Sequence, residues 1–422
     1  MKFESWTLGL AAVGLVSIGA TSQAEEAQHS VMTALSSTTI SGSVDTSAIL
    51  RFGRGDISPG RSFDGADKQD GFNLNVVRLQ LEKPLDVSNW SVGYNVGLLF
   101  GPDANTYGTT SSRTDLQGIQ TAGVPRAVDN AQLQNLLHGN SDFGIKEASV
   151  TLRAPLGYGL DFKIGYWESP IGYEVFDAGS NPNYSRSFGY YVEPKQFTGV
   201  LATYRISSVV QIAGGIANQG WALLRGPCGS HTVLHVPMTA INSRSGLASL
   251  LTYLGSIAIT VPDSAGFLKG ATFFGGIIDS SIYSGPDVVN YYVGGTIPTP
   301  LKNLAVGAAW DYRANSAGEG FSSSYASAVS GYLTYQMTEK LKLNGRVEYA
   351  VGSNNTWVYF ANGSHNEVLG VTASVDYNLW AHALTRLEFR WDHDLTGNGM
   401  FNDVNNLDQN ALSLALNVIY KF

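Results

Sequence analysis

The chain ends in Ala411-Leu412-Ser413-Leu414-Ala415-Leu416-Asn417-Val418-Ile419-Tyr420-Lys421-Phe422. Strand side chains point alternately to opposite sides, so Leu412, Leu414, Leu416, Val418, Tyr420 and Phe422 share one face. Ala411, Ser413, Ala415, Asn417, Ile419 and Lys421 share the other, and only Ile419 breaks the alternation. The preceding stretch repeats the pattern, with Leu387, Phe389 and Trp391 set against Arg386, Glu388, Arg390 and Asp392. One such strand fits a soluble sandwich with a wetted outer face as well as a barrel with an apolar outside and a polar inside. The number of strands and the lengths of their connections separate the two.

Working back from the C-terminus, alternation predicts sixteen strands. They lie at 39–52, 72–84, 88–100, 143–155, 158–168, 196–206, 208–219, 248–261, 268–280, 288–298, 303–313, 325–337, 341–352, 367–379, 382–393 and 410–422, with 268–280 the least distinct. Connections after even-numbered strands are short, such as Leu156-Gly157, Thr338-Glu339-Lys340 and Trp380-Ala381, and those after odd-numbered strands are mostly long. A single-chain transmembrane barrel with both termini in the periplasm needs this parity, and a sandwich has no use for it. The fold expected is therefore all-β, an antiparallel up-and-down transmembrane barrel of about sixteen strands, with short periplasmic turns and long external loops. The last strand should close the ring against 39–52.

The N-terminus agrees. Residues 1–24 hold one early lysine, an apolar run from Leu8 to Ala20 and small residues at Ser22 and Ala24, the pattern of a secretory signal peptide. Residues 25–38 read as a short periplasmic lead-in and 39–422 as one barrel domain. After residue 24 no stretch approaches the roughly 20 apolar residues of a membrane helix. The chain has 48 Gly and 21 Tyr with only 14% charged residues, a composition suited to a barrel. Cys228 is the only cysteine, which excludes an intrachain disulfide and a cysteine metal cluster. A net charge of −8 opposes nucleic-acid binding, which depends on neutralising phosphates.

A sixteen-strand barrel is wide enough for an aqueous channel. Alternation turns Arg51, Arg78, Arg153, Lys163, Arg205, Arg313, Lys342, Arg346, Arg386 and Arg390 inward, with Asp45, Glu82, Glu147, Asp161, Asp311, Glu348, Asp376, Glu388 and Asp392. The best pore-lining candidates are Arg78, Glu82, Glu147, Arg153, Lys163, Arg346, Glu348, Arg386, Glu388, Arg390 and Asp392. The two signs nearly balance, so cross-strand pairing is as good a use for them as solute contact. Trp90, Trp167, Trp310, Tyr312, Tyr335, Tyr349, Trp380, Trp391 and Tyr420 fall near strand ends, where girdle aromatics meet lipid headgroups.

Little points to catalysis or to a bound metal or cofactor. No Gly-x-Ser-x-Gly nucleophile motif is present. His231 and His235 lie four apart in an expected loop without helical context, a weak metal signal. Asp392, Asp394, Thr396, Gly397 and Asp403 approximate calcium-loop spacing, but strands flank them and the twelfth position is Asp.

One segment carries a family likeness. Tyr166 to Tyr204 contains Pro170-Ile171-Gly172-Tyr173-Glu174, then Asn181, Asn183, Tyr184, Ser185, Arg186 and Ser187, then Pro194 and Gly199. This succession resembles the OmpL-like β-barrel porin family, and Arg78–Pro84 and Leu384–Asp392 are similar to it more loosely. The resemblance implies a porin-like protein of the bacterial outer membrane, surrounded by outer-membrane lipid, and by analogy with porins of this size a homotrimer. Terminal Phe422 matches the aromatic end of barrels handed to the barrel assembly machinery. Gly172, Tyr173, Tyr184 and Arg186 are the candidates for a loop that folds inward and narrows the pore. Gly172 would permit a tight backbone and Arg186 would supply a fixed charge. The function expected is passive diffusion of small hydrophilic solutes or ions. A plugged or partner-filled barrel serving as a scaffold is the alternative, and a barrel enzyme a weaker third.

Overall fold

Sixteen antiparallel strands form: β1 Thr39–Phe52, β2 Gly71–Lys83, β3 Ser91–Phe100, β4 Phe143–Ala154, β5 Leu160–Glu168, β6 Gln196–Arg205, β7 Val210–Ala217 and β8 Thr252–Thr260 in the first half. The second half adds β9 Thr272–Ser280, β10 Val288–Pro298, β11 Leu304–Asn315, β12 Ser324–Gln336, β13 Leu341–Gly352, β14 Asn366–Trp380, β15 Ala383–Asp394 and β16 Asn410–Lys421. The computed structural model describes residues 37–52, 70–86, 90–107, 143–218, 252–281, 287–317, 323–353, 366–397, 399, 401 and 408–422. The expected signal peptide, residues 25–36 of the lead-in, Cys228, His231, His235 and Asp403 lie outside them.

Each strand pairs with its sequence neighbours, and β16 pairs with β1, closing the barrel. The seam runs from Ser43 opposite Lys421 to Phe52 opposite Leu412. It extends one residue further, where Phe422 N–H donates to the Gly42 carbonyl at 3.0 Å and Gly42 N–H to that of Phe422 at 2.8 Å. Closure leaves no unpaired strand edge in the ring. The parity of the connections holds with one exception: the turns at one end are short and those at the other mostly long, but the connection at 261–271, between β8 and β9, is longer than that at 281–287, between β9 and β10. β9 starts later than its apolar run implies, because Asp263–Leu268 form a 3-10 turn and Gly270 sits at φ 78° before the strand begins.

Outward positions are apolar and exposed, for example Val347 at 55%, Leu387 at 48% and Leu416 at 45%. Trp90 and Trp380 stand out at the short-turn end, while Trp310, Tyr312, Tyr291 and Tyr325 make ring contacts towards the other. Trp167 departs from the expected girdle. It is fully buried in an interior cluster with Phe197, Leu201 and Ile171, its Nε1 donating to the Gly199 carbonyl at 3.3 Å. Strand parity already sets Trp167 on the same face as Lys163 and Asp161; proximity to a strand end said nothing about direction.

The inside is not uniformly polar. On β7 to β10 no inward position carries a charge: Ala213, Leu254, Ile278 and Tyr292 face in, among other small and apolar residues. On β13, β15 and the end of β14 the inward positions are mainly arginine and carboxylate.

Candidate functional site: a loop folded into the barrel

Residues 169–195, between β5 and β6, fold into the lumen instead of standing clear of it. Pro170 ends the strand ladder, and Gly172 takes φ 126°, a conformation that disfavours any residue with a Cβ. A Cβ there would also run into the Glu193 carboxylate at the loop's other end. Two buried side chains then hold the loop to itself. Asn181 donates to the carbonyls of Val175 (2.7 Å) and Asp177 (2.9 Å) and accepts from Val175 N–H (2.8 Å), closing the turn at Ala178–Ser180. Arg186 donates to the carbonyls of Val175 (3.0 Å), Phe176 (2.6 Å) and Tyr184 (2.5 Å). Ser187 caps the short helix α1, Phe188–Val192, accepting from Tyr190 N–H at 3.1 Å.

The charged wall grips the loop by its main chain. Glu388 accepts from Tyr184 N–H (2.5 Å) and Ser185 N–H (2.8 Å), and Glu348 from Phe188 N–H (2.7 Å). Arg346 donates to the Ser185 carbonyl (2.8 Å), Arg386 to those of Ala178 (3.1 Å) and Asn181 (2.8 Å), and Arg390 to that of Arg186 (2.7 Å). Each arginine also has a carboxylate: Glu348 and the loop's own Glu174 for Arg346, Asp376 for Arg386, Asp392 for Arg390. Wall carboxylates thus take the loop's N–H groups and wall guanidiniums its C=O groups. Charge-assisted bonds of this kind are the stronger sort, and they satisfy backbone groups that a buried loop would otherwise leave unpaired.

Elsewhere the loop is held differently. Tyr173 stacks on Tyr332 with ring centroids 4.0 Å apart, shares a hydrogen bond with Thr296 at 2.9 Å, and lies over Gly307. Ile171 lies over Gly276 in the same way. Tyr184 reaches β1, its hydroxyl donating to Ser47 at 3.0 Å, and Asn290 donates to the Val192 carbonyl at 2.8 Å. Ile419, the residue that broke the last strand's alternation, turns inward beside Gly179. Asp177 meets Arg78 at 2.8 Å and Lys146 at 3.5 Å. Burial pushes the Asp177 carboxyl up, but those two cations overrule it and hold it below the usual carboxylate range.

The expected pore-lining residues therefore divide. Arg346, Glu348, Arg386, Glu388, Arg390 and Asp392 point inward but are at most 2% exposed, covered by the loop. They line the loop, not open lumen: its backbone takes up hydrogen bonds from the first five, and Asp392 pairs with Arg390. Arg78 is bound to Asp177 as well. Below the loop, towards the short turns, Arg153 pairs with Asp161 (2.7 Å) and Lys163 with Glu147 (3.1 Å), and Glu82 is exposed. Gly172, Tyr173, Tyr184 and Arg186 all lie within the infolded loop. The charge expected of Arg186 is not presented to the lumen: the side chain is fully buried and spends its donors on three carbonyls. Alternation missed Lys146, whose ammonium lies 2.6 Å from Glu168. A register shift between Gly97 and Leu98 leaves Lys146 as the extra residue of a bulge, which period-2 reading cannot detect. In the calcium-like stretch Asp392 pairs with Arg390, Asp394 accepts from Thr396, and no group of three metal-ligating residues forms among the described residues.

Comparison with known proteins places this geometry. The family model described as "Putative beta-barrel porin-2, OmpL-like" matches residues 37–422. The outer membrane channel DcaP of Acinetobacter baumannii superposes with a TM-score of 0.56 at 13% identity, over 91% of this chain and 97% of that one. An anion-selective porin from Comamonas acidovorans gives 0.55 at 10% identity, over 92% and 99%. The trimer form of in-vitro folded OmpT, an outer membrane protein of Vibrio cholerae, gives 0.52 at 13%, over 91% and 99%. No curated protein matches by sequence. At these identities the structural likeness is one of fold.

Proposed function

The chain belongs to the OmpL-like family of β-barrel porins, and on that premise we propose that it lets small hydrophilic solutes or ions diffuse passively across a bacterial outer membrane. The observation that carries this reading is the loop at 169–195, folded inside a closed sixteen-strand wall and fixed there by buried hydrogen bonds, which sets the width of the path. Gly172, Tyr173 and Tyr184 then shape the constriction, and Arg186 acts by holding it together. Glu82, Glu147, Arg153 and Lys163, below the loop, are the charges a solute meets. Reconstituted protein should give stepwise conductance in planar bilayers and size-limited swelling of liposomes in sugar solutions. Folded protein that opens no channels sinks the proposal.

The breadth of the loop's contacts, from β9 round through β16 and β1 to β4, favours one second reading, a barrel closed by its own loop and used as a scaffold. Absence of swelling in the native protein, together with swelling after deletion of 170–194, would select it. The OmpT trimer form supports a homotrimer here, which sedimentation in detergent checks. Deleting Phe422, which pairs with Gly42 at the seam, should lower the yield of assembled barrel in the outer membrane if the assembly machinery reads that end.

A further inference from the structure

Below the loop the ion pairs of the wall balance in sum but not in what they show to the lumen. Arg153 keeps 27% of its side chain exposed and its partner Asp161 9%; Lys342 keeps 33% and Asp376 2%; Lys163 keeps 16% and Glu147 9%. Stem length explains the order. A carboxylate on its shorter stem sits against the wall, where neighbours take its oxygens: Asn95 (2.8 Å) and Ser149 (2.9 Å) donate to Glu147, and Arg386 to both oxygens of Asp376 (2.6 and 3.0 Å). The longer Lys and Arg stems carry their charge forward into water. Each pair is a dipole with its positive end towards the path. Two further cations pair with no carboxylate among the described residues. Arg205 is the last residue of β6, facing in and half-buried, and Lys421 the last of β16, exposed, its stem beside Gly179 of the loop.

Arg153, Arg205, Lys342 and Lys421 all lie in the last two residues at the short-turn ends of β4, β6, β13 and β16, so they are spread round one mouth of the barrel. From β7 to β12 the inward side chains at that level are neutral, Gln211, Thr260, Thr334 and Gln336 among them. Glu82 on β2 is the one inward carboxylate there, among the described residues, that stands exposed. We propose that this mouth is a cationic subsite, which concentrates small anionic solutes bearing a carboxylate, sulfonate or phosphate and turns small cations away. Rings of like charge select ions in this way, and a narrow, low-dielectric wall focuses their field.

Passage of anions rests on the channel reading and their binding does not, so two measurements keep these apart. In planar bilayers under a potassium chloride gradient, the reversal potential should show chloride more permeant than potassium, with the ratio falling as added salt screens the mouth. Arg205→Gln combined with Lys421→Gln breaks no ion pair and should lower the ratio several-fold at low salt. Lys342→Gln, which leaves Asp376 to Arg386, should lower it too and serves if the double variant does not assemble. A native ratio at or below one, or a native ratio kept by these variants, overturns the cationic mouth. For the folded barrel in detergent at low salt, the fluorescence anisotropy of a trisulfonated pyrene dye should rise on binding. Its affinity should fall several-fold in the same variants but not in Lys269→Gln, an exposed lysine of the connection between β8 and β9. Absence of binding, or an equal loss in Lys269→Gln, overturns the subsite. Dye binding of the expected pattern in a native protein that opens no channels would sink the channel reading and leave the subsite standing.

Discussion

Two stretches of the same inner surface hold the same loop by opposite means. On β13 to β15, Arg346, Glu348, Arg386, Glu388 and Arg390 bind its backbone through directed, charge-assisted hydrogen bonds. On β9 to β12 only neutral groups hydrogen-bond to it, Asn290 to the Val192 carbonyl, Thr296 with Tyr173 and Tyr332 to Glu174, and the loop otherwise settles by shape, Ile171 over Gly276 and Tyr173 between Gly307 and Tyr332. The charged side fixes where the loop's main chain must run, since N–H and C=O groups answer only to acceptors and donors in the right places. The other side, where Asp311 and Arg313 on β11 are the only inward charges, fixes how near it may come, since missing side chains leave room for a ring or a methyl. A charge on a barrel's inner wall is therefore poor grounds for assigning it to a solute.

Breaking the charged side should have the largest effect. Arg346→Met removes the cation shared by Glu174 and Glu348, both fully buried, and leaves two carboxylates in a site with no way out to water. Losing one partner of a buried ion pair costs about 3–5 kcal/mol. Urea unfolding of the folded barrel should show a destabilisation of that order. The liposome swelling limit should move to larger sugars as 184–188 loosen. A variant as stable as the native protein, with an unchanged size limit, would mean that the clamp does not set the constriction.

That clamp also marks how far a sequence reading reaches. All sixteen strands could be placed to within a few residues, because each one alternates and the connection lengths alternate too. The inward direction of Arg346, Glu348, Arg386, Glu388, Arg390 and Asp392 followed from the same period. Their partners did not, because period 2 reports which way a side chain points and is silent about what will fill the space in front of it. The Asn-x-Asn-Tyr-Ser-Arg-Ser stretch at 181–187 is legible as a family likeness. Its physical content, backbone groups offered to a wall 160 residues or more away in sequence, needed the folded chain. Lys146 is hidden from period 2 because a bulge shifts the phase, and the inward place of Trp167 shows in its parity, not in its nearness to a strand end.

A smaller effect is expected on the β9 to β12 side, from adding volume instead of removing charge. Gly307→Ala sets a methyl against the Tyr173 ring, which cannot yield without leaving Tyr332. Overpacking of this kind costs about 1–3 kcal/mol. Its signature should be a lower melting temperature with lost near-ultraviolet dichroism from the stacked tyrosines. Tyr173→Phe keeps the stack and removes only the 2.9 Å hydrogen bond to Thr296, for about 1 kcal/mol. Gly307→Ala milder than Tyr173→Phe would show that this side of the loop is held by polar contacts after all.

The smallest change in stability should come from a pair that belongs to neither side. Arg153 and Asp161 face each other 2.7 Å apart below the loop, where the arginine side chain keeps 27% of its surface exposed. A pair this open to water is worth about 1 kcal/mol or less, so Asp161→Asn should barely move the unfolding midpoint. Its effect on permeation should be of another kind. The substitution leaves Arg153 uncompensated in the space a solute must cross, so the reversal potential under a salt gradient should shift towards anions, and the shift should shrink at high ionic strength as screening grows. Arg346→Met would show the converse, a large loss of stability with little direct electrostatic influence on passing ions, since its charge was buried and paired to begin with. Equal shifts in reversal potential from the two variants would erase the distinction between charges that hold the loop and charges that face the path.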